Sequence, residues 1–113
     1  MSLPFRLYSM DYQITLKINK YYDGGGLAIE MLYYDDEFQS YMPFGMLTVN
    51  IDSVKCEPDC AFVDTNNNGR DIVDWIVENG LGEVTNRTAR SGYCIYPEVR
   101  FNLDKVKEEL IIK

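Results

Sequence analysis

The sequence predicts an α+β domain: a mainly antiparallel sheet of four or five strands, one helix packed on a face and a short C-terminal helix. Three patterns carry that prediction. Tyr12, Ile14, Leu16 and Ile18 alternate with Gln13, Thr15, Lys17 and Asn19, the two-residue period of a strand with one buried face. Leu27, Ile29, Met31 and Tyr33 repeat the alternation after Gly24, Gly25 and Gly26, glycines that permit the reversal of a hairpin. Ile72, Val73, Ile76 and Val77 instead recur at three- and four-residue spacing with Trp75 on the flank, while Arg70, Asp71, Asp74 and Glu78 take the other side. That is a helical stripe wide enough to cover a sheet.

Taken in order, Met1 to Ser9 show no sustained pattern and are expected to be a leader or poorly ordered, leaving residues 10–113 as the single domain. Asp35-Asp36-Glu37 ends the second strand with three adjacent like charges, and Met46 to Ile51 reads as the third strand of a meander. Pro58 and its charged neighbours mark a loop before the apolar run Ala61-Phe62-Val63. The spacing then predicts a helix over 69–80, capped by Asn67 or Asn68 and ended by Gly80, with Leu81 folding back on the last turn. Glu83 to Gly92, rich in Ser, Thr and Asn, reads as a loop, and Tyr93 to Phe101 as a last strand that Pro97 places at an edge or bulge. Asn102 or Asp104 can cap a terminal helix carrying Val106, Leu110 and Ile111.

Composition excludes more than it assigns. Eighteen acidic against eleven basic residues give a formal charge of −7, which argues against binding nucleic acid through its phosphates. No run of ~20 apolar residues and no signal-peptide pattern is present, so neither membrane nor export is expected and the reading is cytoplasmic. Three cysteines suit free thiols in a reducing compartment better than a disulfide framework. The chain has no histidine, which removes Ser-His-Asp and Cys-His nucleophile pairs, His-rich zinc sites and imidazole acid–base chemistry. Together with the missing phosphate-binding loop, this favours a protein that is not an enzyme and carries no cofactor.

Four local features invite a functional reading. Asp64-Thr65-Asn66-Asn67-Asn68-Gly69 satisfies the first half of a calcium-loop pattern, but the twelfth position, which should be glutamate, is Trp75; helix-capping and turn chemistry explain the same residues, and no metal is expected. Cys56 and Cys60 lack Cys-x-x-Cys spacing and Cys94 is remote, a poor zinc set. Residues 84–97 form the one basic island: Arg87 and Arg90, with Ser91, Tyr93 and Tyr96, could hold an anion or a partner's carboxylate, or the arginines could pair with the protein's own acids. Finally, adjacent strand residues face opposite sides, so one of Tyr33 and Tyr34 should point outward as an interface aromatic.

Four segments carry a family resemblance: Cys60-Ala61-Phe62-Val63-Asp64-Thr65-Asn66-Asn67, Glu78-Asn79-Gly80-Leu81-Gly82, Arg90-Ser91-Gly92-Tyr93-Cys94-x-Tyr96-Pro97 and Phe101-x-Leu103-Asp104. In these the chain resembles an uncharacterised family of small bacterial proteins associated with conjugative transposons and other mobile elements. It departs from that pattern at Asn68-Gly69, where the family has Cys-Pro. The resemblance implies a context and no chemistry. The expected function is an accessory or protein-interaction module, a monomer or weak dimer, of a mobile element. Two other readings are an acidic DNA mimic that blocks a nucleic-acid enzyme, and a small-molecule or anion-binding protein using the 85–96 loop.

Overall fold

The computed structural model describes residues 3–7, 10–20, 26–51 and 54–108. Two four-stranded antiparallel sheets take the place of the single sheet expected. The first holds β1 (Leu3–Leu7), β2 (Met10–Lys20), β3 (Leu27–Asp35) and β4 (Ser40–Met46) in chain order. The second runs β5 (Thr48–Val49), β6 (Cys60–Val63), β8 (Cys94–Phe101), β7 (Gly82–Ser91). Three short helices, α1 (Thr65–Asn68), α2 (Ile72–Glu78) and α3 (Leu103–Glu108), complete the described residues.

Strands β2 and β3 lie where the alternation placed them, with Leu16 opposite Met31 and Ile18 opposite Ile29. The turn between them, including Gly24 and Gly25, lies outside the described residues. Within the expected leader, Leu3–Leu7 is a strand, because Leu3 and Phe5 align with Ile14 and Tyr12 and extend the buried face. Pro4 is tolerated there since β1 is a sheet edge, where a missing N–H need not break a ladder. Met1, Ser2, Tyr8 and Ser9 fall outside the described residues.

The third strand also departs from expectation. Strand β4 starts at Ser40 and ends at Met46, with Pro43 and Gly45 accommodated at the opposite edge on either side of Phe44, the extra residue of a bulge opposite the Met31/Leu32 step of β3. Asp35 makes the preceding turn by accepting the N–H groups of Glu37 and Phe38 on one carboxylate oxygen. Leu47 then crosses to the second sheet. Its N–H donates to the Ile29 carbonyl of β3 at 2.9 Å, and its carbonyl accepts the Asp64 N–H at 2.9 Å, just past β6.

The helix expected over 69–80 is the shorter α2, and neither Asn67 nor Asn68 caps it: its cap position is Asp71, which makes no side-chain cap bond. A separate one-turn helix, α1, precedes it across Gly69 and takes in both asparagines, capped by Asp64, which accepts the Asn67 N–H. Helix α2 ends as the sequence indicated: Gly80, at φ +69°, donates to the Val77 carbonyl and Leu81 to that of Ile76, the paired bonds of a Schellman motif, with Leu81 fully buried. Asn102 caps α3 through the Lys105 N–H; Leu110 and Ile111 lie outside the described residues.

One apolar core joins these parts. Ile14, Leu16, Ile29 and Met31 of the first sheet meet Ala61, Val63, Val99 and Phe101 of the second, closed by Ile72, Trp75, Ile76 and Leu81 and by Val106 of α3. Trp75 lies against β1: its ring packs edge-on against Phe5 and its Nε1–H donates to the Pro4 carbonyl at 2.6 Å. A smaller cluster on the far side of the second sheet gathers Ile51, Phe62, Ala89 and Tyr96.

Candidate functional site

The basic island is a strand, not the loop expected over Glu83 to Gly92. Its residues supply little apolar alternation, and their order comes from pairing with β8, from Gly82 opposite Phe101 to Ser91 opposite Cys94. At its start Gly82 is required, because a Cβ there would lie 2.7 Å from the Arg100 carbonyl oxygen. At its end Gly92, at φ +62°, opens a two-residue turn of the kind that closes tight hairpins. Pro97 pairs with Thr88, next to the bulge of β7 and just past the last residue that β6 pairs.

That bulge organises the chemistry. Val84 faces Val99 and Thr88 faces Pro97, so Thr85, Asn86 and Arg87 together stand opposite the single residue Glu98. Asn86 turns the backbone through φ +69°, a conformation asparagine tolerates better than most residues. The extra length wraps around a carboxylate that is only 3% exposed. The Thr85 hydroxyl donates to Glu98 Oε1 at 2.6 Å and Arg87 Nη1 to Oε2 at 3.2 Å. Burial, reinforced by the neighbouring Glu98, pushes the Cys56 thiol up to about 12.

A second ion cluster lies along the same face of β8. Arg100 bonds Glu57 at 2.8 Å and approaches Asp59 at 3.7 Å, and the Cys60 thiol sits 3.5 Å from Asp59. Burial pushes Cys60 up to about 11 despite the opposing pull of Arg100. Glu57, Asp59 and Cys60 bring donor atoms within 4.8 Å of one another, but the guanidinium already supplies the positive charge those carboxylates face. Thiols held at such values are protonated at neutral pH and poor nucleophiles.

The five residues singled out in the basic island therefore separate. Arg87 pairs with the protein's own acid, and Tyr96 is 8% exposed in the smaller cluster, its phenol pushed up by a hydrogen bond to Cys94 and by burial; it is no surface residue. Arg90, Ser91 and Tyr93 remain exposed at the hairpin end, with no ion-pair partner for Arg90 among the described residues. Tyr93 is fully exposed, and Ile95, opposite Arg90 in the register, is 55% exposed. Of the tyrosine pair, Tyr34 is the exposed one, stacked edge-on with Tyr41, while Tyr33 is half-buried. Glu98 and Ile95 escaped sequence reasoning; a glutamate between Tyr96 and Arg100 on one side of the strand was the available signal for the first.

The family model for a domain of unknown function, DUF4313, matches residues 15–110, and the chain belongs to that family. No curated protein and no solved structure matches it. Among the described residues no helix is long and apolar enough to cross a membrane.

Proposed function

We propose that the chain is a non-enzymatic protein-interaction module whose contact surface is the end of the β7–β8 hairpin. The observation that carries this reading is the grouping in solvent of Tyr93, Ile95 and Arg90, which has no ion-pair partner among the described residues, on a hairpin whose base is held by the buried Glu98. Tyr and Arg are the residues that dominate binding energy at protein interfaces, and a braced strand pair presents them at little cost in ordering. The partner surface that fits is apolar with acidic groups, since Arg90 is left to face it once Arg87 is paired with Glu98, and no acid lies between residues 84 and 97. Protonated thiols and the lack of histidine support a role without catalysis. Resemblance to proteins of mobile elements supports a cytoplasmic accessory role in such an element.

The test is affinity capture from the native host with the parent chain and with an Arg90→Glu/Tyr93→Ser double variant, both checked by circular dichroism. One protein recovered by the parent and lost with the variant is the expected result. Recovery of the same proteins in the same amounts by both would reject the hairpin end as the contact surface.

A further inference from the structure

We propose a second binding site, in the groove between β4 and α1, for a small organic cation of the alkylammonium or quaternary-ammonium class. The groove encloses about 630 Å³, within the range of small-molecule pockets, and none of its lining residues belongs to β7 or β8. Its apolar wall is aromatic. Tyr12 and Phe44 meet edge-on at 4.6 Å and 70°, forming a corner, and Tyr33 lines the groove with them.

Its polar wall offers acceptors. Asp64, 8% exposed, accepts Asn67 N–H on one carboxylate oxygen and Asn67 Nδ2 on the other, and no lysine or arginine lines the groove or pairs with it among the described residues. Asn68, 6% exposed, donates Nδ2 to the carbonyls of Met46 and Asp64, both at 2.9 Å. Those two acceptors fix the amide orientation, since only the NH₂ group can donate to both. The Oδ1 atom of Asn68 is left with no donor among the described residues, although the residue is almost wholly buried. A buried carboxylate without a counter-cation and a buried amide oxygen without a donor both lack a positive, hydrogen-bond-donating or polarising neighbour. Aromatic faces attract the same kind of ligand through their quadrupoles. An anion would face the Asp64 carboxylate, and a bare metal ion would leave the aromatic corner unused. An organic cation satisfies both walls.

Titration of ¹⁵N-labelled protein with benzyltrimethylammonium, and in parallel with neutral 2-methyl-1-phenyl-2-propanol, tests the assignment. Saturable amide shifts confined to residues 44–46 and 64–68 and to Tyr33 are expected with the cation, at least about tenfold tighter than with the alcohol. Tyr33→Leu, which keeps apolar area in a half-buried position but removes the ring, should weaken the cation by about 2- to 30-fold and leave the alcohol unchanged. Equal affinity for the two compounds, no saturable shift up to about 10 mM cation, or a Tyr33→Leu variant that binds the cation as well as the parent would each overturn it. So would calcium alone producing the same shifts while benzyltrimethylammonium produces none.

Discussion

Replacing Trp75 by alanine tests how the helices are tied to the first sheet. The side chain is 9% exposed, stacks on Phe5 at a centroid distance of 5.2 Å and bonds the Pro4 carbonyl. Emptying such an aromatic site costs about 3–5 kcal/mol through lost transfer energy and an unfilled cavity. The indole hydrogen bond adds about 1 kcal/mol. Against a total of about 5–15 kcal/mol for a domain, Trp75→Ala consumes a large share. With a loss of about 4 kcal/mol and a urea slope of about 1.5 kcal/mol/M, the unfolding midpoint should fall by about 2.5 M. A second arm isolates the contact with β1. Trp75→Phe should be costly in the full chain and cheaper in a chain lacking residues 1–7, with a coupling of about 0.5–3 kcal/mol. A Trp75→Ala shift worth less than about 0.5 kcal/mol, the range of surface substitutions, would refute the anchoring. A Trp75→Phe cost unaltered by removing β1 would refute its tie to that strand.

Two further outcomes follow from the buried polar groups. Burial raises Cys56 from 9.0 to about 12 and Cys60 from 9.0 to about 11, so as pH climbs past 9.0 the unfolded chain ionises first. Stability is thus undiminished below that point and lost progressively above it; urea midpoints measured across alkaline pH should fall less steeply for Cys56→Ala, and an identical slope would contradict the assignment. At the bulge, Arg87→Ala should cost about 1–2 kcal/mol, less than for a fully buried pair because water reaches the half-exposed guanidinium. A double-mutant cycle with Glu98→Gln should show coupling, and strict additivity would mean the pair is incidental.

Elements with a strong internal period were legible in the sequence. Strands β2 and β3 carry an unbroken alternation over a face whose middle residues, Ile14, Leu16, Ile29 and Met31, are fully buried, and the exit of α2 depends only on Gly80 and Leu81, neighbours in sequence. Elements defined by partners were not. Strand β1 is five residues long and contains Pro4, so its alternation has meaning only once Tyr12 and Ile14 lie beside it. Strand β7 has mostly exposed side chains and exists because β8 pairs with it. The division into two sheets is likewise a fact of pairing, set where β4 stops and Leu47 crosses over. At the candidate site, the exposure of Arg90, Ser91 and Tyr93 followed from polar composition, whereas the diversion of Arg87 required knowing that the bulge places it across from Glu98. The acceptor wall of the groove was legible as a cluster of amides behind Asp64, but its aromatic wall comes from Tyr12, Tyr33 and Phe44, far earlier in the chain.

Leu47 gives the molecule a mechanical property that neither sheet has alone. The described strands before it all belong to one sheet and those after it to the other, so a pull on the two ends of the chain is a pull of one sheet against the other. Leu47 holds β3 with its N–H and the end of β6 with its carbonyl, and the Ile29 N–H is fastened beside it by the Thr48 hydroxyl at 3.1 Å. Load is therefore shared between this short buried crossing, the apolar core common to both sheets and the Trp75 bond to the Pro4 carbonyl. Such a crossing works as a rivet does, pinning the two plates together at one point while the surfaces between them share the load.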